Sequence, residues 1–250
     1  FWEKFKLDSI SGNWEYIDSA LFGYAAGKVI ESFVKFRLEP SQSVVAHFHE
    51  WMTGAGILYI KSRNLAIGTV FTTHATVVGR CISCNNLPLY SQFDSYNGDE
   101  MARRFNVTAR HSLEKCAANN ADVFTTVSDI TAREAMQFLG RMPSIITPNG
   151  FENSIVPAPQ EYDRKRSEAR KLLLKVASAM HGVDYPMDAL LIGISGRYEY
   201  KNKGIDLFLE AVARIKEEGY RGKKIVAFVM IPAGNNGADR ELVEKMEGHR

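Results

Sequence analysis

Short apolar runs alternating with longer segments of helical period occupy most of this chain, and they limit its fold more than any single motif does. The runs SVVAHFH (43–49), LAIGTVFTTH (65–74), ADVFTTVS (121–128) and SIITPNG (144–150) read as strands. Between them, WMTGAGILYIKSR (51–63), a segment near residues 100–119, and Ile130 to Leu139 with a cap at Ser128 or Asp129 read as helices. Strands separated by whole helices cannot pair as hairpins, so the pattern predicts crossovers and a parallel sheet covered on both faces. The uniform hand of such crossovers makes it a doubly wound α/β sheet. Ahead of the first strand, about Asp18 to Phe36 reads as an amphipathic helix with Leu21, Tyr24, Ala25, Val29 and Phe33 on one stripe.

The rhythm lapses between Phe151 and Asp163, where Pro157 and Pro159 interrupt regular structure, and resumes with a helix over 162–180. The strands ALLIGIS (189–195) and KKIVAFVMIP (223–232) follow, with a helix between them to about Glu218 and a charged helix around Arg240 to Met246. Residues 1–155 and 156–250 are therefore expected to form two Rossmann-like lobes.

Charge and cysteine content narrow the function. With 31 Lys and Arg against 29 Asp and Glu, the net charge of +2 argues against a nucleic-acid partner held by bulk charge. No run approaches the ~20 apolar residues of a membrane helix. Three cysteines, Cys81, Cys84 and Cys116, are too few for a disulfide framework, and CISC lacks the second pair of a zinc ribbon, so a reduced cytoplasmic protein without a cofactor is expected. No GxGxxG follows a strand, which disfavours a dinucleotide-dependent dehydrogenase.

In open parallel sheets, ligands bind beyond the carboxyl ends of the strands. Unusual residues collect at those ends: His47, His49, His74, Ser128, Asn149 and Arg197. His47 and His49 alternate onto one strand face, as a zinc pair can, yet no further ligand recurs at a completing spacing, and a hydrogen-bonded role at the sheet edge is expected. His74 ends a strand, with Thr73 or Thr76 able to cap the next helix. Asn149, before Gly150, is either a turn residue or a cleft contact. Arg197, Lys201 and Lys203 surround a loop between a strand and a helix, an arrangement that suits a phosphate group unless Glu199 or Asp206 pairs with the cations. The run DRKRSEARK reads as the solvated face of a helix.

The blocks HFHEWMTGAG (47–56), FTTHATVVGR (71–80), FTTVSDITAREA (124–135), ITPNGF (146–151), LIGISGRYEYKNKGIDLFLEAV (191–212) and VAFVMIPAGNN (226–236) resemble, in order and spacing, the glycogen synthase family of retaining glycosyltransferases, in its fungal and animal type. The resemblance implies a GT-B architecture with both lobes incomplete. It implies a UDP-glucose donor and a glycogen or α-1,4-glucan acceptor, with Arg197 and Lys203 on the donor diphosphate as catalytic groups. His74 is then expected on the glucose and Arg80 on acceptor or phosphate, with His49 and Asn149 completing the substrate-binding set. Another donor such as ADP-glucose, or a sugar-nucleotide or glucan binding module without turnover, stands as the alternative. The family's first strand and its later glutamate motif are not seen, and the chain does not begin with Met. A piece of a longer protein is therefore expected, its open sheet edges to be completed by the missing segments or by a second copy in a homo-oligomer.

Overall fold

The computed structural model describes residues 1–39 and 41–248, and its contacts divide the chain into two units, 1–150 and 151–250, a boundary slightly ahead of the expected one. The first unit opens with a short helix, α1 (Trp2–Phe5), and a long one, α2 (Trp14–Arg37), capped by the Asn13 side chain accepting from the Tyr16 N–H. Strands and helices then alternate: β1 (Val45–His49), α3 (Glu50–Ser62), β2 (Gly68–Thr73), α4 (Val77–Cys84), α5 (Gly98–Arg104), α6 (Thr108–Asn120), β3 (Val123–Thr126), α7 (Asp129–Leu139) and β4 (Ile145–Ile146). Every pair is parallel, in the order β1-β2-β3-β4. Ser128 caps α7 through its hydroxyl.

Register places Phe48, Phe71 and Phe124 side by side on one face. There they are buried with Ile57 and Ile60 of α3, Ala117 of α6, and Ala135 and Leu139 of α7. Three crossovers stepping in one direction with one hand put their helices on one side of a sheet. The other face leaves Val45, His47, His49 and Ile145 exposed, so among the described residues the helix cover expected on both faces is found on one. A polar ladder runs across that face from exposed His47 to two buried threonines: His47 Nε2 lies 2.7 Å from Thr72 Oγ1, which lies 2.5 Å from Thr125 Oγ1.

Helix α2 lies on α3 the opposite way from expectation. Its buried residues are Tyr16, Gly23, Gly27 and Glu31, while Leu21, Val29 and Phe33 of the apolar stripe are each more than half exposed. Glycine decides the orientation. A Cβ at Gly23 would lie 2.9 Å from the Thr53 carbonyl oxygen, and one at Gly27 would lie 2.9 Å from the Tyr59 ring, so only the glycine face can approach α3 this closely. Glu31, buried in the same contact, accepts from the Tyr59 hydroxyl and pairs with Lys35 at 2.6 Å, and its carboxyl is held down at about 2 by those two hydrogen bonds.

The helix expected over 100–119 is two helices. Asn106, with φ of 55°, takes a left-handed turn between α5 and α6, a conformation asparagine tolerates better than most residues.

In the second unit, α8 (Pro159–His181) begins at a proline expected to interrupt structure; at the first helical position proline has no N–H to lose and its φ already suits the helix. Next come β5 (Leu190–Ser195), α9 (Ile205–Glu217), β6 (Ile225–Met230) and α10 (Arg240–Glu247). β5 and β6 are parallel, and Leu174 and Ala177 of α8 are buried with Ala189 and Val226.

Candidate functional site

In the first unit the carboxyl ends of β1 and β2 bring three histidines together. The His47 and His49 rings lie 4.1 Å apart, centre to centre, and His49 Nδ1 lies 3.3 Å from His74 Nε2. Burial, with the neighbouring His47 and His74, pushes the His49 imidazole down toward its neutral form. A neutral ring can accept one hydrogen bond and donate another. Among the described residues no group of three or more His, Cys, Asp or Glu is arranged to hold a metal.

Glu50 ties the cluster together. It opens α3 with a φ of 63°, a conformation that costs a non-glycine residue free energy, and its Oε1 accepts from the His74 N–H at 2.9 Å. Strain of this kind persists where surrounding structure enforces it, and here it lies one residue from His49.

The turn carrying His74 is anchored from beneath. Thr76 caps α4 by accepting from the Gly79 N–H at 3.0 Å, one of the two caps expected from sequence. Glu114 of α6, fully buried, reaches Thr73 Oγ1 at 2.8 Å and the Val77 N–H at 3.0 Å. Glu134 of α7 reaches Thr76 Oγ1 at 2.8 Å and accepts from the Tyr90 hydroxyl at 2.9 Å. Neither glutamate stands out in a reading that treats helical glutamate as solvated. The available signal is that Glu114 falls between Leu113 and the run Cys116, Ala117 and Ala118, residues that α6 buries. Arg80 is exposed on α4. Asn149 is exposed beyond β4, and neither it nor Gly150 adopts the positive φ of an Asn-Gly turn.

In the second unit, β5 leads into the loop that carries Arg197 and Lys203, and α9 starts from Gly204, whose φ is 67°. Arg197 pairs with Glu199 at 2.9 Å, and Lys201 with Asp206 at 2.7 Å, so carboxylates take up two of the three loop cations. Lys203 has no carboxylate partner among the described residues; its aliphatic stem runs over Gly196, where a Cβ would lie 3.4 Å from Lys203 Cγ. The loop therefore presents one uncompensated cation two residues before the first turn of a helix. Asp206 itself is held below the usual carboxylate range, chiefly by Lys201, and its Oδ1 is buried without a hydrogen-bond partner.

The chain matches the glycogen synthase family over residues 1–249. The chain belongs to the glycogen synthase family. Members similar to it include glycogen [starch] synthase isoform 2 of Saccharomyces cerevisiae, 37% identical over 97% of this chain and 35% of that protein. The glycogen [starch] synthase of Caenorhabditis elegans is 34% identical over 92% of this chain and 35% of its own length. That of Dictyostelium discoideum is 32% identical over 96% of this chain and 27% of its own length. This glycogen synthase family chain thus spans about a third of the length of the curated relatives it matches. Its parallel α/β units are those of a partial Rossmann-like glycosyltransferase fold. No described helix is long and apolar enough to cross a membrane.

Proposed function

We propose that this chain is the central part of a retaining hexosyltransferase that moves glucose from UDP-glucose to the 4-hydroxyl at the non-reducing end of an α-1,4-glucan such as glycogen. The observation that carries the reading is Lys203: in a glycogen synthase family chain, a cation with no carboxylate partner among the described residues, just ahead of a helix N-terminus, suits a diphosphate better than a structural ion pair. In such a transfer, positive charge grows on the sugar and negative charge on the departing UDP. Lys203 stabilises the leaving diphosphate, joined by Arg197 once phosphate displaces Glu199, and preorganised charge of this kind does most where water is excluded. His74 orients the glucose, and Arg80, His49 and Asn149 complete the substrate contacts. A cytoplasmic location fits the three free thiols. Self-association into a homo-oligomer belongs to the same reading.

Calorimetric titration of UDP and of ADP into the full-length protein and its Lys203→Ala and Arg197→Ala variants tests it. UDP binding that collapses in Lys203→Ala is expected, with a loss in glucose transfer on the order of 100-fold. A preference for ADP moves the donor to ADP-glucose, and UDP binding without transfer of labelled glucose leaves a binding module. Binding of neither nucleotide, or binding untouched by either substitution, overturns the assignment of the loop.

A further inference from the structure

We propose that Glu114 is a positioning residue: its one carboxyl group bridges the two ends of the turn that carries His74 and thereby fixes where that imidazole points. The proposal rests on the reading of His74 as the group that orients the donor glucose.

Glu114 Oε1 lies 2.8 Å from Thr73 Oγ1, at the end of β2, and Oε2 accepts at 3.0 Å from the N–H of Val77, the first residue of α4. His74, Ala75 and Thr76 form the connection between them. Glu134 holds the same connection at its last residue through Thr76 Oγ1, and a Cβ at Gly79 would collide with its carboxylate. Glu50 takes the His74 N–H from the other side. Three glutamates from three helices thus bond to a single turn.

Glu114 is completely buried and Glu134 nearly so, and neither forms an ion pair with a cation among the described residues. A buried carboxyl group without a counter-charge costs free energy that leucine or methionine would not, so stability alone does not explain two of them beneath one turn. What each supplies is direction, because a hydrogen bond fixes an angle where apolar packing does not. The proton inventory agrees. Burial, with the nearby carboxylates Glu50 and Glu134, pushes the Glu114 carboxyl up to about 8, so at neutral pH it carries a proton. Protonated Oε1 can then donate to Thr73 Oγ1, the Thr73 hydroxyl can donate to the Ala75 carbonyl at 3.3 Å, and Oε2 still accepts from Val77. The acid proton, the Thr73 hydroxyl and the Val77 N–H each then have an acceptor.

The test compares Glu114→Gln and Glu114→Ala in the full-length protein, each with and without His74→Ala. Glutamine keeps both contacts, its amide donating to Thr73 and accepting from Val77; alanine keeps neither. Glu114→Ala is expected to lower kcat for glucose transfer on the order of 100-fold, the scale of a misplaced reacting group, with KM for the glucan little changed. Glu114→Gln should restore most of that loss. In the His74→Ala background the further cost of Glu114→Ala should shrink to less than about threefold, the ordinary error of additivity. An undiminished cost there, or no rescue by glutamine, overturns the proposal. Should Glu114→Ala fail to fold, Thr73→Val removes one anchor alone and is read the same way. Amide hydrogen exchange at Val77 reads the clasp without any activity: it should quicken in Glu114→Ala and stay slow in Glu114→Gln. If the wild type transfers glucose from no sugar nucleotide, the functional reading fails, and exchange at Val77 alone decides whether the carboxyl holds the turn, unchanged protection in Glu114→Ala overturning the clasp.

Discussion

Replacing Gly56 by alanine should destabilise the protein by about 2 kcal/mol although alanine is the better helix former. In an exposed helix interior the exchange would gain about 1 kcal/mol. At Gly56 the added methyl would run into the Phe48 ring and approach the Gly23 carbonyl oxygen to 2.8 Å. The ring could turn, but the carbonyl is backbone in the middle of α2, so relief requires lifting α2 away from α3 and loosening Ile30 and Val34, which pack against the core from that helix. Overpacking of this sort costs about 1–3 kcal/mol. With a rigid neighbour on one side the upper end applies, and the propensity gain offsets part of it. Urea denaturation of the full-length protein measures the outcome: the midpoint should fall with the slope unchanged, since native compactness is kept. Adding Phe48→Leu should not recover the loss, because the carbonyl remains. A neutral or stabilising Gly56→Ala would refute the close glycine-mediated approach of the two helices, and a full recovery by Phe48→Leu would show that the ring, and not the backbone, sets their separation.

Three other outcomes follow from the same structure. The Glu114 carboxyl is raised from the ordinary 4.5 to about 8 in the folded protein. Its contribution is therefore fully present below about pH 4.5 and lost as pH rises through about 8, on the order of a few kcal/mol. Melting temperature against pH should be flatter in Glu114→Gln than in the wild type across that window, and parallel curves would contradict the assignment. Phe124→Ala, at a fully buried position stacked on Phe71, should cost about 3–5 kcal/mol by denaturant titration, and a loss under 1 kcal/mol would place that ring outside the core. Ser128→Ala removes the hydroxyl that caps α7 and should cost about 1 kcal/mol, with Ser128→Asp close to neutral; equal losses in both would show that the cap contributes nothing.

The strands were legible because a parallel sheet buried against helices needs apolar and β-branched residues in short runs, as VFTT and LLIGIS supply. Strand-end chemistry was legible for the same reason: once β1 and β2 are placed, His49 and His74 must sit at neighbouring ends, and they are 3.3 Å apart. The reading of DRKRSEARK as a solvated face fits Arg164, which pairs along α8 with Glu161 and Glu168. Tertiary decisions were hidden. Which side of α2 faces α3 depends on how near two backbones can come, and the glycines that permit it carry no hydrophobic signal. The break at Asn106 rests on one left-handed residue that no periodicity reports. Glu114 and Glu134 look like any helical glutamate until the turn they hold is placed above them, whereas Glu199 and Asp206 could be named as partners for the loop cations and only the choice of cation for each was left open.

The order in which the strands of the first unit lie side by side is also the order in which they are synthesised. Among the four described strands each pairs with the one made just before it: β2 docks on β1 once α3 is complete, β3 on β2, and β4 on β3. At ribosomal speeds of about 5–20 residues per second, each edge waits only seconds before the next strand covers it. These four strands can thus be added at one advancing edge as the polypeptide emerges, so their long-range pairing, ordinarily the slow step for parallel sheets, is reduced to a sequence of short closures.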